Sequence, residues 1–424
     1  MKRQDNDILT QSNAGTPIGE LFRRYWLPAL VASELPEADC PPIRIPMLGE
    51  QLIAFRDSNG KVGIVDQRCP HRHASLYFGR VEDSGIRCAY HGWHFDIDGR
   101  CLDIPSEPAE NKMRDKIRLK AYPTLERAGV IWVYMGAPGA RPPAPALEWA
   151  TLPEENLFVS RRLQECNYMQ VMEGGLDSSH LSFLHRGTLS DDPVMGTGGQ
   201  GEDSHILDIL ARDHNPRYET VETDGGLMLG ARRTAGQGKY YWRVTQFVLP
   251  CFNIIAPLGD LSLNAQAWVP MDDHNCWSWA VNYYPDKPLR EEEREYMRRG
   301  GGLHVEFIPG THQGGAHIGN DYLQDRNAQR AGVSFTGIPS FAMQDTAVQE
   351  SQGRIAERTS ENLVSSDDGI IVTRRLLLRA ASANLAGEDI PGLQPSSQSV
   401  SAASIIGEAD ALADVPAESF EREN

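Results

Sequence analysis

The pattern of apolar positions in the first third of the chain predicts β-structure. Apolar runs at residues 51–56 and 62–65 flank an Asn-Gly pair at residues 59–60, a sequence typical of a tight hairpin. An Asp-Gly pair at residues 98–99 marks a second hairpin, and residues 130–133 form a continuous apolar run typical of a buried strand. These signals predict a small all-β unit.

The rest of the chain combines segments with helical periodicity and segments with strand periodicity. Thr16 and Pro17 suit the N-cap and first turn of a short helix near the N-terminus. A Pro/Ala/Gly-rich stretch at residues 136–145 is typical of a linker. Helices are then predicted at residues 169–184, 341–363 and 371–385. Strands, whose order indicates an antiparallel meander, are predicted at residues 227–233, 240–248, 264–269 and 277–284.

These elements predict an α+β fold in which an all-β domain precedes a domain of helices on an antiparallel sheet. We expect an N-terminal helical segment at residues 1–40 that packs on the second domain, the β-domain at 41–140, and the helix-and-sheet domain at 141–385. Residues 386–424 are rich in Ser, Ala, Gly and acidic residues, which predicts an extended arm with a loose end.

Composition narrows the class of protein. The 424 residues are 40% hydrophobic and 23% charged, the profile of a soluble globular protein. A net charge of −17 disfavours nucleic acid and anionic membranes as partners. The first residues predict no secretory signal, and seven scattered cysteines, an odd number, argue against a disulfide framework. We therefore expect a cytoplasmic protein.

Two cysteines and two histidines form the first candidate site. Cys69 and His71 lie in one segment, and Cys88 and His91 lie sixteen residues or more further on. A structural zinc site also takes two cysteines and two histidines, but it usually pairs like with like. Here each segment offers one thiolate and one imidazole, which favours a [2Fe–2S] cluster in which one iron binds both sulfurs. Spacing alone leaves both interpretations open.

A second candidate site lies on the predicted helix at residues 169–184. Asp177 and His180 are three residues apart, so on a helix they share one face, and His185 follows about one turn later. Two histidines at this separation can bind one metal ion. The pattern by itself is equally compatible with an incidental pair.

The two sites together resemble those of the Rieske non-haem iron ring-hydroxylating oxygenases, and specifically the catalytic α subunits of the phthalate dioxygenase branch. The resemblance covers nearly the whole chain, and its segments are residues 15–30, 69–76 (CPHRHASL), 88–96 (CAYHGWHFD), 173–185 (EGGLDSSHLSFLH) and 365–381. One departure is His73, where many relatives carry Gly. We interpret it as a surface or supporting histidine rather than a ligand.

The resemblance implies roles for the residues of both sites. The first site would hold the Rieske [2Fe–2S] cluster. His180, His185 and a carboxylate on a late helix would hold a mononuclear Fe(II) with open positions for O₂. We assign that carboxylate to Asp345, with Glu350 as the competitor. Asp177 would bridge a cluster histidine of a neighbouring subunit to an iron histidine, and thus carry electrons between subunits.

A substrate anchor is harder to predict. An aromatic carboxylate in an apolar pocket needs a cation, usually arginine because its fork binds both oxygens. Arg243 lies on a predicted strand and suits this role if its face points inward, although a solvated face is an open alternative. Arg232 and Arg233 are further candidates, and Ser178 is predicted to add a hydrogen bond.

The expected function is hydroxylation of an aromatic acid, of the phthalate, halobenzoate or phenoxybenzoate kind, with O₂ as co-substrate. The resemblance also implies a homotrimer or hexamer, and a separate flavin and ferredoxin-domain reductase that draws electrons from NADH. Alternatives are a monooxygenase or O-demethylase acting on an aryl ether, a Rieske electron carrier, and a zinc-stabilised binding protein.

Overall fold

The computed structural model describes residues 1–108, 112–188, 192–193, 204–256, 261–416 and 419–420. Across these residues no helix is both long and apolar enough to cross a lipid bilayer. The helices are α1 (Arg3–Thr10), α2 (Pro17–Phe22), α3 (Met113–Lys116), α4 (Tyr168–Leu176), α5 (Ser204–Arg212), α6 (Glu291–Arg298), α7 (Arg326–Arg330), α8 (Phe341–Glu350), α9 (Asp368–Ala386) and α10 (Pro395–Gln398).

Most of the remaining regular structure is antiparallel sheet. The strands are β1 (Trp26–Val31), β2 (Ile43–Met47), β3 (Glu50–Arg56), β4 (Val62–Asp66), β5 (Arg80–Glu82), β6 (Gly85–Arg87), β7 (His94–Phe95), β8 (Cys101–Asp103), β9 (Ala121–Tyr122), β10 (Thr124–Arg127), β11 (Val130–Tyr134), β12 (Leu157–Gln164), β13 (Arg217–Glu222), β14 (Gly226–Gly236), β15 (Lys239–Val248), β16 (Phe252–Ile255), β17 (Leu263–Pro270), β18 (Cys276–Tyr283) and β19 (Ala403–Gly407).

Strands β1–β11 form the three small sheets of the first part of the chain. β3 and β4 make the predicted hairpin, and Gly60 in its turn has a φ of +77°, which glycine adopts without strain. β11 is buried throughout, as predicted, between β1 and β10. The four-stranded sheet β5-β6-β7-β8 lies next to the two loops that carry the first candidate site.

The second part is a large sheet covered by helices. Its strand order is β12-β18-β17-β16-β15-β14-β13, so β13 to β18 follow the predicted antiparallel meander. Helix α4 packs on β17 and β18, and on its other sides contacts α8 and α9. The fold is therefore α+β with an all-β part and a helix-on-sheet part, as the sequence predicts.

Two predicted helices are too long. α4 ends at Leu176 because Asp177 adopts an extended backbone (φ −77°, ψ 124°), and its carboxylate accepts hydrogen bonds from the N–H groups of Ser179 and His180. Asp177 and His180 therefore do not share a helix face. α8 ends at Glu350, because the chain turns through Gly353, which has a φ of +92°.

The C-terminal arm contributes to the large sheet. β19 pairs antiparallel with β15, with Ser404 opposite Arg243. The prediction of a merely extended arm is thus wrong for residues 403–407. Two isoleucines give this stretch of a polar segment the apolar side chains of a strand. The predicted loose end falls on residues 421–424, which lie outside the described residues.

Candidate metal centres and substrate pocket

The two loops of the first site share one backbone pattern. In residues 69–74 and again in residues 88–93, the cysteine N–H donates to the carbonyl five residues later. The cysteine carbonyl in turn accepts from the N–H four residues later, and these N···O distances are 2.8–2.9 Å. Each loop therefore closes into a tight turn that holds its cysteine and histidine close together.

Four candidate ligands converge between the loops. Cys69 and Cys88 are 1% and 4% exposed, and the rings of His71 and His91 lie 4.5 Å apart. Burial and the neighbouring thiol of Cys88 together raise the pKa of Cys69 to about 12. The Cys69 sulfur is thus a neutral thiol unless a metal ion displaces its proton.

Aromatic rings cover the two histidines. Trp93 stacks on His71 with ring centroids 4.5 Å apart and planes within 5°. Tyr90 lies 3.8 Å from the ring of His91, although Tyr90 itself is 55% exposed. One face of each imidazole is therefore shielded from water.

His73 is an exposed residue in a strained position. Its φ of +60° lies in the left-handed region, and in the second loop the equivalent residue is Gly92, with a φ of +75°. Glycine is favoured at such a position because it has no Cβ. The common glycine in relatives thus has a backbone explanation, and a ligand role for His73 is not needed.

The second site brings together His180, His185 and Asp345, each with one ligand atom within 4.8 Å of the others. The Nε2 atoms of His180 and His185 lie 3.6 and 3.4 Å from Asp345 Oδ1. Ligand atoms that are each about 2.1 Å from one metal ion lie at most about 4.2 Å apart, so both distances suit a shared ion. Two histidines and one carboxylate are the ligand set of many non-haem iron oxygenases.

His185 is held in the orientation that a metal ligand needs. The Gln344 side-chain amide donates to Ile338 O (2.8 Å) and Thr188 Oγ1 (2.9 Å), so its oxygen accepts from His185 Nδ1 (2.8 Å). The ring also stacks on Phe341 at 3.8 Å. With the proton on Nδ1, Nε2 carries the free lone pair.

Asp177 organises the turn between α4 and His180. Its carboxylate accepts from the N–H of Ser179 (2.6 Å) and from the Tyr218 hydroxyl (3.3 Å), and lies 3.4 Å from His180 Nδ1. Burial opposes its charge, but the contacts with His180 and Ser179 hold the pKa of Asp177 below its usual range. His180 is therefore oriented with Nε2 towards Asp345.

The charges at this site favour a cation. Burial disfavours the ionised form of Asp345, yet His185, His180 and Arg162 together hold its pKa below the usual value. Burial likewise acts to lower the pKa of His180, but Asp177 and Asp345 raise it. Two ionised carboxylates thus lie beside two imidazoles in one pocket.

Two glycines let α4 approach the site closely. A Cβ added to Gly175 would lie 2.3 Å from the ring of Trp268 on β17, and one added to Gly174 would lie 2.3 Å from Gln349 Nε2 on α8. The Gly-Gly pair in the motif at residues 173–185 is therefore explained by packing against both the sheet and α8.

Glu350 lies away from the histidines. Its carboxylate accepts from the Tyr322 hydroxyl and from the N–H of Glu165 (2.8 Å), and burial raises its pKa. Positions 345 and 350 are five apart on α8, which separates their side chains by roughly 140° around the helix. Of the two candidate carboxylates, the one beside the histidines is Asp345.

Arg243 faces the pocket that contains the three ligands. It is 8% exposed and lines this pocket together with Ile255, Trp268 and Leu303. Among the described residues, its guanidinium reaches one acceptor, Ala256 O at 3.4 Å. The free volume is about 50 Å³, so an aromatic ring can enter only if lining side chains move aside.

The other predicted substrate contacts lie elsewhere. Arg232 points outward, where it pairs with Asp410. Arg233 is buried and donates to Ser178 O (2.9 Å) and Ser178 Oγ (3.3 Å). Ser178 thus supports the turn before His180 and does not line the pocket of the candidate iron ligands, and its hydrogen bond to a substrate stays a prediction.

Three residues of the site were not predicted from the sequence. Gln344 orients His185, Tyr218 binds Asp177, and Arg162 lines the pocket. Only Arg162 carried a usable signal: it follows another arginine on a strand, and alternation places one of the two on each face.

Comparison with known families accounts for both sites. The family described as Rieske [2Fe-2S] domain matches residues 25–123, and the family described as LigXa C-terminal domain like matches residues 133–408. The chain is therefore an iron-dependent oxygenase with a Rieske domain, and it belongs to the α subunits of the Rieske oxygenases. Its cofactors are a Rieske [2Fe–2S] cluster and a mononuclear iron, with O₂ as co-substrate. The zinc-protein and electron-carrier alternatives are excluded.

Similarity to individual proteins leads to the same family. The chain is 38% identical to the 3-chlorobenzoate-3,4-dioxygenase oxygenase subunit of Comamonas testosteroni, over 92% of this chain and 90% of that protein. It is 35% identical to the phthalate 4,5-dioxygenase oxygenase subunit of Pseudomonas putida, over 92% and 88%. The crystal structure of dicamba monooxygenase bound to 3,6-dichlorosalicylic acid has the same fold, with a TM-score of 0.61 at 18% identity over 86% of this chain and 99% of that one.

The residues present fit both metal groups. His91 Nδ1 and His185 Nε2 are buried, and neither has a hydrogen-bond partner among the described residues. A buried imidazole nitrogen without a partner is costly, and a metal ion would satisfy it. One such atom lies in each site, beside two thiols in the first and a carboxylate in the second.

Proposed function

We propose that this protein is the oxygenase component that hydroxylates an aromatic carboxylate, of the phthalate, halobenzoate or phenoxybenzoate kind. The observation that carries this proposal is Arg243, a buried guanidinium beside the candidate iron ligands with no ion-paired carboxylate among the described residues. A buried unpaired cation is unfavourable, and a substrate carboxylate would neutralise it. The relatives named for 3-chlorobenzoate and phthalate support the same substrate class.

We assign the metal ligands as follows. Cys69, His71, Cys88 and His91 hold the Rieske cluster, and His180, His185 and Asp345 hold the iron. Iron(II) bound there supplies the chemistry that activates O₂. The chain's own residues hold the imidazole protons on Nδ1 through Gln344 and Asp177, orient the substrate through Arg243, and exclude water with apolar walls.

We further propose how the protein is supplied with electrons. A separate flavin and ferredoxin-domain reductase takes them from NADH and passes them to the cluster. Asp177, ionised and in contact with His180, is the bridge to the cluster of a neighbouring subunit in a homotrimer or hexamer. The seven cysteines, free and buried, support a cytoplasmic location. The domain bounds we propose are residues 1–40, 41–140, 141–385 and 386–424, and two strands pair across them, β1 with β11 and β19 with β15.

The test is a substrate panel with the purified protein and a generic ferredoxin reductase. Benzoate, 3-chlorobenzoate, phthalate and phenoxybenzoate are compared with neutral analogues such as benzamide, with O₂ uptake and product mass as readouts. We expect coupled oxidation of an acid and weak or no oxidation of its amide. Product masses separate dihydroxylation from monooxygenation and from O-demethylation.

The role of Arg243 is tested by Arg243→Met, with Arg232→Met as the matched control on the next strand. Loss of a charge-assisted contact to the carboxylate should raise KM for the acid by roughly 10- to 100-fold. Arg232 faces away from the pocket, so its removal should leave KM unchanged. Equal effects of the two substitutions, or preferred oxidation of the amide by the wild type, would refute the proposal.

A further inference from the structure

The carboxylate of Asp177 is surrounded by donors of its own subunit. Its Oδ1 accepts from the N–H of Ser179 (2.6 Å) and from the Tyr218 hydroxyl (3.3 Å). Its Oδ2 accepts from the N–H of His180 (3.3 Å) and lies 3.4 Å from His180 Nδ1. An ionised carboxylate has about four lone-pair sites, so each of them already faces a donor. A histidine of a neighbouring subunit therefore binds Asp177 only after one of these four donors turns away.

Three of the four donors are fixed in place. The N–H groups of Ser179 and His180 belong to the backbone of the turn that follows α4, and rotation of either would break that turn. The Nδ1–H of His180 belongs to a ring whose Nε2 lies 3.6 Å from Asp345 Oδ1 and is a candidate iron ligand. The Tyr218 hydroxyl differs, because its proton moves by rotation about one C–O bond.

Tyr218 lies on β13, the last strand in the order of the large sheet, and its hydroxyl contacts three consecutive residues. It accepts from the N–H of Ser178 (3.0 Å), lies 2.9 Å from Ser179 Oγ, and lies 3.3 Å from Asp177 Oδ1. A phenol has one proton and two lone pairs, so three contacts use its full capacity. Since a carboxylate only accepts, the Tyr218 proton points to Asp177, and the Ser179 hydroxyl donates to Tyr218.

The contact between Tyr218 and Ser179 can also run in the opposite direction. Ser179 Oγ accepts as well as donates, and it is nearer to the Tyr218 oxygen than Asp177 Oδ1 is. Ser179 is half-buried, so its own hydroxyl proton can turn to water. Rotation of the Tyr218 proton from Asp177 to Ser179 thus exchanges one hydrogen bond for another and frees a lone pair on Oδ1.

We propose that Tyr218 is a positioning residue that controls access to Asp177. In a separate subunit its hydroxyl donates to Asp177 Oδ1. When a cluster histidine of the neighbouring subunit approaches, the hydroxyl turns to Ser179 Oγ and leaves Oδ1 to that histidine. This inference rests on the proposed role of Asp177 as the bridge between subunits. Asp177 is then fully hydrogen-bonded both with and without its neighbour.

The experiment applies two measurements to the holoenzyme. Rapid mixing with substrate and O₂ measures reoxidation of the reduced cluster, and sedimentation velocity over a dilution series measures dissociation of the subunits. Ser179→Ala removes the second acceptor of Tyr218, so the bridged state loses one neutral hydrogen bond. We expect this variant to reoxidise more slowly and to associate more weakly, each by roughly 2- to 10-fold. Ser179→Thr keeps the hydroxyl and should behave as the wild type does.

Tyr218→Phe removes the competing proton and should not have these effects. We expect its cluster to reoxidise at least as fast as that of the wild type, and its subunits to associate at least as tightly. The double variant Tyr218→Phe/Ser179→Ala should match Tyr218→Phe, because Ser179 has no tyrosine proton to receive once the hydroxyl is gone. Iron content and the visible absorption of the cluster show that both centres are loaded in each variant.

Different results separate this inference from the proposed bridge. Slower reoxidation in Tyr218→Phe overturns the inference, because a purely structural hydrogen bond predicts that result, and a double variant as slow as Ser179→Ala overturns it as well. Wild-type reoxidation and association in Ser179→Ala also overturn it, even if Tyr218→Phe does not fold. If Asp177→Asn reoxidises at the wild-type rate, the proposed bridge itself fails.

Discussion

Glu173 offers the most direct test of what holds the iron-site helix in place. It lies on α4, four residues before Asp177, and its side chain is 12% exposed. Its carboxylate accepts from Arg358 (Nε, 3.0 Å; Nη2, 3.0 Å) and from Arg374 of α9 (Nε, 2.8 Å). Arg374 has a second carboxylate, Glu361, whereas the other acceptors of Arg358 are neutral. The substitution Glu173→Gln keeps the size and removes the charge.

The expected loss of stability in Glu173→Gln follows from the burial of Arg358, whose side chain is 1% exposed. Removal of one partner from a buried ion pair typically destabilises a protein by about 3–5 kcal/mol, because the other charge stays buried without compensation. We expect Glu173→Gln to lose about this much at pH 7. Glu173→Gln/Arg358→Met should be more stable than the single variant, because it no longer buries an unpaired charge.

The effect should depend on pH with a defined sign. Although burial opposes the charge on Glu173, Arg358 and Arg374 hold its pKa below the usual value in the folded state. The stabilisation is therefore complete above the pKa of glutamate in the unfolded chain, about 4.3, and is lost as the pH falls below it. The difference between wild type and Glu173→Gln should shrink towards acid.

Urea unfolding followed by circular dichroism at pH 7 and at pH 4 measures these differences, and iron content reports on the site. The reasoning is refuted if Glu173→Gln unfolds at the wild-type urea concentration at pH 7, or if the double variant is no more stable than the single one. A difference that grows towards acid would show that the sign is wrong.

Four further substitutions test the candidate metal sites. His185→Ala should lose the mononuclear iron and keep the visible absorption of the cluster, and full iron content in this variant would contradict the ligand assignment. Cys69→Ser should lose the visible absorption of the cluster. Asp177→Asn should keep both centres but slow reoxidation of the cluster by orders of magnitude in rapid mixing, and an unchanged rate would exclude the bridge. His73→Gly should raise the free energy of unfolding by about 0.5–1 kcal/mol with an unchanged Rieske EPR signal, because it relieves a left-handed backbone.

Local patterns were sufficient for much of the fold. The hairpin around residues 59–60 and the buried strand β11 were predicted because turn chemistry and apolar runs act over a few residues. The end of α4 was not predicted, since it depends on the side chain of Asp177 bonding to backbone N–H groups two and three residues ahead. Helix periodicity does not show when a side chain competes with the helix for these backbone N–H groups.

Only part of the candidate iron site could be predicted from the sequence, because the rest depends on contacts between distant residues. His180, His185 and Asp345 could be assigned because two motifs resemble those of one family. Gln344, which orients His185, is 159 residues away from it, and no spacing rule links the two. The position of Arg162 also depended on the fold, because only the structure shows which of the two adjacent arginines lines the pocket of the candidate iron ligands.

The pairing of β19 with β15 makes the end of the chain part of the support for acid recognition. β16 pairs with residues 246–248 of β15, and β19 pairs with residues 240–244, which include Arg243. A chain cut before residue 403 would leave that stretch as an open strand edge, a template for aggregation. The ligands of the candidate iron site lie on other segments: His180 and His185 follow α4, and Asp345 lies on α8. A C-terminal truncation should therefore impair solubility and selectivity for acids before it impairs metal content, and affinity tags are better placed at the N-terminus.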